Sequence, residues 1–475
     1  MPQDDSADSP LFTKTLEFAG VFESGEHRSP QLSIEITYSQ INAHPPTGII
    51  RGTSAEYRAL ERFFLAKRSP LCTLRSTAPE RAITCHEVMV RQISEKMFAK
   101  VEQTTIHQVL GRFVIGRLEM RHHLKPSAGP VKRHMTFYLT GPSKPWLTTA
   151  LRTLSWSGNT TTEVHNDILT LDSAAPDTVT VRPHFVYAES PLSGASQKHT
   201  VEAELYAVSV DSVPLADDEG TKFSERATAL VESLCLLMGF LSKARITWFA
   251  SILSGGGTFV DVVRDEKTVG IEAPHWDEMV IYADDIRPFL NIALTAYRNS
   301  DIELRLPILH YISAQSSRFV EDRFTVLFFA LEKMLSALDG LEPEELLTKK
   351  QLSDLWKVVR PELEGMQKTP EQMKLIQDKR TELQRPPLKH RIDRHLAALG
   401  VDISDIGGDA GLGRMYRVRN HLTHVHGEVP IEEIMVETRR LETIVERMLL
   451  KLLKWDGKTH TPTSVNRPIE EDERE

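Results

Sequence analysis

The sequence predicts an α+β protein, on three observations. Between residues 13 and 215 the chain is a series of short runs of alternating apolar residues broken by Gly, Pro, Ser and Asn, the pattern of strands and turns. From Asp284 onward, apolar residues recur at helical spacing over long stretches. The 475 residues are 40% apolar and 26% charged, enough for two or three domains with full cores. The expected architecture is a β-rich N-terminal domain, sandwich or barrel-like, followed by an all-α helical bundle. The expected boundaries are a disordered stretch 1–12, the β-rich domain 13–215 and a helical connecting region 216–316. A helical domain over 317–455 and a disordered acidic tail 456–475 follow.

Strands are expected at Thr15–Phe22, Gln31–Tyr38, Gly48–Thr53, Ala82–Val90, Thr105–Leu118 and His134–Thr140. Further strands are expected at Asp167–Leu171, Thr178–Tyr187 and His199–Val210. Ser54 is a natural cap for a helix over Ser54–Phe64. Thr221–Phe249 reads as helix, with Leu230, Leu234, Leu237, Met238 and Leu241 in register. Ser254–Thr258 is a turn, and Thr258–Val263 a strand or hairpin arm. The turn is glycine-rich, but it lacks the lysine and the spacing of a phosphate-binding loop. Helices are then expected at Arg287–Tyr297, Ile302–Ala314, Phe319–Leu338, Leu341–Val359, Glu371–Leu383, Leu388–Leu399, Met415–His426 and Ile431–Trp455. Ile403–Gly413 reads as a loop.

The net charge of −9 excludes a chain that coats nucleic acid indiscriminately; nucleic acid must be met by a local basic patch. Such runs exist at Arg121–Lys125 and Val131–His134, though basic runs are more often solvated strand edges. Cys72, Cys85 and Cys235 are scattered, without metal-ligand spacing, which suits a reducing cytoplasm. His86, His107, His122, His123 and His134 pair with no acid or cysteine at ligand spacing, so no metal and no cofactor is expected. The segment Met1–Ser6 has no apolar core of a signal peptide, and Leu234–Leu241 is too short to span a bilayer. A soluble, cytoplasmic protein is expected.

The densest chemistry lies at Arg417–Gly427, where two arginines, Asn420, His421, His424 and His426 fall between two helical patterns. Asn420 and His424 are four apart and share one helix face, onto which the long stem of Arg419 can swing. Histidine exchanges protons near neutral pH, and arginine grips a phosphate with two parallel hydrogen bonds. An arginine and a histidine aimed at one phosphodiester suffice for RNA cleavage without a metal. The same residues also fit solvated charges at a helix end. An arginine followed five positions later by a histidine also occurs at Arg81 and His86, Arg117 and His122, Arg305 and His310, and Arg385 and His390. The asparagine directly after Arg419 and the helical setting set this occurrence apart. Glu332, beside the apolar face of Phe319–Leu338, is either solvated or orients an arginine such as Arg419.

Three stretches carry a family resemblance: Phe324–Leu335 with its Ala-Leu-Glu centre, Pro387–Leu396, and Val418–His424 with an Arg-Asn-x-x-x-His signature. In order and helical setting they resemble HEPN domains, in particular those of ApeA-type anti-phage defence proteins. The resemblance covers residues 317–455; a β-rich half ahead of the helices looks like the architecture of the same proteins. It implies a metal-independent endoribonuclease in which two protomers pair and their motifs form one composite site. Arg419 would bind the scissile phosphate, His424 would act as general acid or base, and Asn420 would hold the geometry. His426, His421 and Glu332 are secondary candidates. The implied partners are an RNA substrate, a second copy of the chain in a homodimer or higher homo-oligomer, and a phage-derived trigger met by the β-rich half, the candidate sensor. Cleavage would then halt growth, an abortive infection. The alternative is a non-catalytic HEPN module that dimerises or binds a nucleotide or a partner protein.

Overall fold

The computed structural model describes residues 13–39, 46–52, 56, 58–60, 62–63, 71–77, 81–101, 104–123, 131–139, 149–156, 159–166, 169–171, 176–190, 198–214, 220–255, 258–264, 279–341, 346–366, 369–379, 386–424, 429–457 and 459. The chain forms two compact units. One comprises Met1–His275 with Ile286–Leu294, the other Trp276–Asp285 with Thr295–Glu475.

The first unit is built on strands β1 (Thr13–Ser24), β2 (His27–Arg28), β3 (Leu32–Ser39), β4 (Thr47–Gly52), β5 (Leu71–Ser76), β6 (Arg81–Val101), β7 (Thr104–Val114) and β8 (Arg117–His123). They continue as β9 (His134–Leu139), β10 (Thr149–Trp156), β11 (Asn159–Asn166), β12 (Leu169–Leu171), β13 (Thr178–Ser190), β14 (Lys198–Asp211), β15 (Trp248–Gly255) and β16 (Thr258–Arg264). Six of them pair antiparallel in a closed ring, β1-β3-β4-β7-β6-β5 and back to β1. Inside the ring lies a core that includes Phe22, Ile34, Ile36, Ile50, Leu74 and Phe113. The Phe113 ring fills the space a side chain at position 48 would need, because a Cβ on Gly48 would stand 2.0 Å from it. Through Arg81–His86, β6 also pairs with β8, and an open sheet runs on as β8-β16-β15-β9-β14-β13-β12. β10 and β11 form a separate hairpin.

Helix α1 (Gly220–Ser242) buries Leu230, Val231, Leu234, Leu237 and Met238. At its first turns Arg226 grips the buried Asp177 carboxylate with two hydrogen bonds, of 2.7 and 3.1 Å. The helix expected over Thr221–Phe249 stops at Ser242. There the Ser242 hydroxyl bonds back to the Met238 carbonyl and Lys243 takes a left-handed φ of +51°. The aromatic and β-branched residues beyond it become β15, paired with β9 and β16. The region expected to be a helical connector therefore carries β15 in addition to the strand expected over Thr258–Val263, which is β16. The single strand expected over Thr105–Leu118 is two, β7 and β8, separated at Gly116, against which the Glu87 side chain lies. Strands β5, β10 and β11 were not expected. Residues 56, 58–60 and 62–63 are helical, with Leu60 and Phe63 in the ring core, whereas the cap residue Ser54 lies outside the described residues. The stretches expected to be disordered, 1–12 and all but positions 456, 457 and 459 of the tail, also lie outside them.

Helix α2 (Ile286–Arg298) gives Ile286–Leu294 to the first unit, where Phe289 meets Phe240. The second unit holds α3 (Arg305–Gln315), α4 (Val320–Leu341), α5 (Lys349–Gly365), α6 (Pro370–Lys379), α7 (Leu388–Leu399), α8 (Gly408–His424) and α9 (Ile431–Leu452). α5 begins at Thr348, not Leu341, because Thr348 and Gln351 close a reciprocal capping box. α7 ends where expected, at Gly400 in the left-handed region (φ +64°). The expected loop Ile403–Gly413 is a single 3₁₀ turn, Ser404–Ile406, followed by the first residues of α8.

α9 is the centre of this unit and packs against α3, α4, α7 and α8. It is buried nearly all round, including three carboxylates. Glu437, fully buried, pairs with Arg440 one turn on and lies 3.5 Å from Arg414 of α8. Arg440 also donates from Nε to the Ile406 carbonyl at 2.6 Å. That contact needs the glycine at 411, since a Cβ there would stand 2.7 Å from Arg440 Nε. Glu442 accepts from Arg323 of α4 at 2.7 Å, and Glu446 accepts from the buried Tyr311 hydroxyl of α3 at 2.5 Å. Burial first, then the Glu446 and Glu442 charges, push the Tyr311 hydroxyl far above its ordinary range, so it remains a donor.

Replacing Glu437 by Gln leaves Arg440 buried and facing no carboxylate. The expected loss is about 3–5 kcal/mol of stability, read as a lower urea midpoint for the helical signal. A loss below about 1 kcal/mol would show that the arginines do not depend on that charge.

Candidate functional site

α8 buries Leu412, Met415 and Val418 against the bundle, as apolar residues three apart on one side of a helix should. Arg419 lies next to that side and reaches α4. Its guanidinium stands over the Phe328 ring, 5.4 Å from the centroid. One terminal amino group lies 3.5 Å from Glu332 Oε1, and the other donates to Asn420 Oδ1 at 3.3 Å. The Thr423 hydroxyl bonds back to the Arg419 carbonyl at 2.8 Å. Arg419 and Glu332 remain about a third exposed, so the pair contributes at most about 1 kcal/mol and serves to aim the guanidinium more than to hold the fold. Both contacts are long for charge-assisted hydrogen bonds, and the donors keep capacity for another acceptor.

Of the residues expected at the site, Arg419, Asn420 and Glu332 come together. Arg417 is exposed on α8. His421 is half-buried, and its Nδ1 has no hydrogen-bond partner among the described residues. His424 closes α8; its side chain and all of His426 and Gly427 lie outside the described residues. Pro430 stands at the start of α9. Of the histidines in the β-rich half, His134 bridges Asp211 (2.8 Å) and Thr136 (2.7 Å) across β9 and β14, a pairing 77 residues apart that spacing does not reveal. Among the described residues, no group of three or more His, Cys, Asp and Glu side chains is placed to hold a metal ion. No helix among them is long and apolar enough to cross a membrane.

A second cluster lies along the same helix α4. Asp339 accepts from Arg391 Nε at 2.5 Å, from Arg394, and from His395 Nε2 at 2.7 Å, all on α7. Burial on its own would raise the Asp339 carboxyl. The hydrogen bonds from His395 and Arg391, with the Arg391 charge, outweigh it and hold the group below the usual carboxylate range. Tyr416 lies one turn before Arg419 on α8. Burial, then the Asp393 charge, raises its hydroxyl well above the ordinary value, against the opposing effect of Arg391 and Arg419. That hydroxyl is buried and has no hydrogen-bond partner among the described residues. Asp339, Arg391, Arg394, His395 and Tyr416 were not singled out from the sequence. The one available signal was Arg391 and Arg394 three apart on a helix inside one of the family-like stretches.

The folded Asp339 carboxyl titrates below its unfolded value, so its contribution is complete above about pH 4 and fades as pH falls through the folded value. Asp339→Asn is therefore expected to cost about 2 kcal/mol at neutral pH, with the gap from wild type closing below about pH 4 in urea titrations at stepped pH. A gap that stays constant through that range would mean the carboxylate's charge is not what holds α7 to α4.

Compared with protein-family models, curated proteins and solved structures, the chain matches none of them.

Proposed function

We propose that the protein is a metal-independent endoribonuclease of the HEPN type, acting in anti-phage defence in the manner of ApeA-type proteins. One observation carries the proposal. Arg419 is aimed by Phe328, Glu332 and Asn420 while keeping donors unused, on a helix that ends five residues later in His424. The charge is fixed, partly exposed and only lightly engaged, as an anion-binding arginine requires.

In this scheme Arg419 takes the non-bridging oxygens of one phosphodiester and stabilises the charge that builds on them as phosphorus becomes five-coordinate. His424 removes the proton of the ribose 2′-hydroxyl or delivers one to the departing 5′-oxygen. The 2′-oxygen forms the new bond to phosphorus and the 5′-oxygen leaves. The products are a 2′,3′-cyclic phosphate and a 5′-hydroxyl, with no metal needed to activate water. A homodimer brings two Arg-Asn-x-x-x-His segments to one composite site. The β-rich unit meets a phage-derived trigger in the cytoplasm and releases the nuclease.

Arg419→Ala and His424→Ala are each expected to lower RNA cleavage by about 10²–10⁴-fold while the helical signal is kept. In infected cells the wild type should degrade RNA and arrest growth, and both variants should not. Equal behaviour of all three would remove the cluster from catalysis and leave the non-catalytic binding module in its place. Chelation by EDTA is expected to leave cleavage unchanged within about twofold, and a loss of tenfold or more would overturn the metal-free scheme.

A further inference from the structure

Phe328, Glu332, Leu335 and Asp339 are spaced four, three and four residues apart and form one stripe along α4. Arg419 of α8 is seated on the Phe328–Glu332 part of that stripe and Arg391 of α7 on Asp339. Glu332 and Asp339 are seven residues apart, about 10 Å along the helix axis. The two arginines are thus hung from one rod at separate points.

Each keeps donors unused, although Arg391 is held more tightly. Arg391 is held through Nε alone, and its two terminal amino groups have no hydrogen-bond partner among the described residues. Arg419 makes only long contacts. Both guanidinium groups are partly exposed, at 21% and 28% of the side chain. Two cations with unused donors, hung from one helix, can hold an anion longer than a single phosphate.

We propose that Arg391 is a second phosphate-binding residue, taking the RNA phosphodiester next to the one held by Arg419, so that a single strand passes over the exposed edges of the two guanidinium groups. Asp339 is a positioning residue that fixes the Arg391 stem and leaves its outer edge to the strand. This proposal rests on the ribonuclease function argued above.

The test uses full-length protein carrying His424→Ala, so that RNA is bound and not cut. Labelled single-stranded oligouridine is titrated by fluorescence anisotropy across a range of salt. Arg391→Gln is expected to weaken binding about tenfold and to lower the salt slope by about 0.7, the share of one phosphate contact on a single strand. Arg391→Lys, which keeps the charge, is expected to restore the slope. In competition, the trinucleotide UpUpU, with two phosphodiesters, should lose affinity in Arg391→Gln, whereas the dinucleotide UpU, with one, should not. A merely structural role for Arg391 would not distinguish the two. The proposal is overturned if Arg391→Gln leaves slope and competitors unchanged while Arg419→Gln loses both, or if Arg391→Lys is as weak as Arg391→Gln. If Arg419→Gln is also without effect, the ribonuclease function falls first.

Discussion

The helical unit depends on how three carboxylates on one buried helix are neutralised. α9 is buried over most of its length, yet it carries Glu437, Glu442 and Glu446. Each isolated carboxylate in such a place would cost several kcal/mol. Glu442 and Glu446 instead accept hydrogen bonds from Arg323 of α4 and Tyr311 of α3, and Glu437 is ion-paired with Arg440 of its own helix and, at 3.5 Å, with Arg414 of α8. These hydrogen bonds fix α4 and α3 in rotation as well as position, since a hydrogen bond is directional where apolar packing is not. α8 lies with Arg414 near Glu437 and Arg419 over Phe328.

The same helix α4 organises charge on its other side. Glu332 and Asp339 are the acids of the stripe that meets α8 and α7, and each is met by arginine. The two attachments differ in kind. Asp339 gathers two arginines and a histidine at short distances and ties α7 down, whereas Glu332 touches Arg419 at 3.5 Å only. Tight contacts hold the frame, and the loose one leaves a guanidinium ready to exchange a carboxylate for a phosphate.

Much of the α-helical half could be read from the sequence, because its signals are local. α7 runs from a Pro387 start to a Gly400 stop, and the apolar spacing of Phe324, Leu327, Phe328 and Leu331 announces α4. The first turns of α8 were misread for a physical reason. Gly408, Gly411 and Gly413 favour a loop by intrinsic preference, but Arg440 demands the bare backbone of Gly411, and a tertiary contact overrides propensity. The end of α1 was misread because Ile246, Trp248 and Phe249 continue an apolar run that serves a strand as well as a helix. At the site, Arg419 and Asn420 are neighbours in sequence and were legible. The Glu332 contact spans 87 residues and was visible only as an acid beside a core stripe. The Asp339 cluster spans 52 to 56 residues and leaves no periodic trace.

In the β-rich unit one strand belongs to two surfaces. β6 closes the six-stranded ring with β5 and β7 and, through its first residues, opens the second sheet with β8. Among the described residues no other strand of the ring pairs with the open sheet. A closed ring has no free edge at which to absorb a change of register, since every strand is held on two sides. The open sheet is therefore hydrogen-bonded to the ring along one seam, Arg81–His86, while Leu118, Met120 and Phe249 press on the ring core, so a shear of the open sheet is felt by the ladder and by the core together.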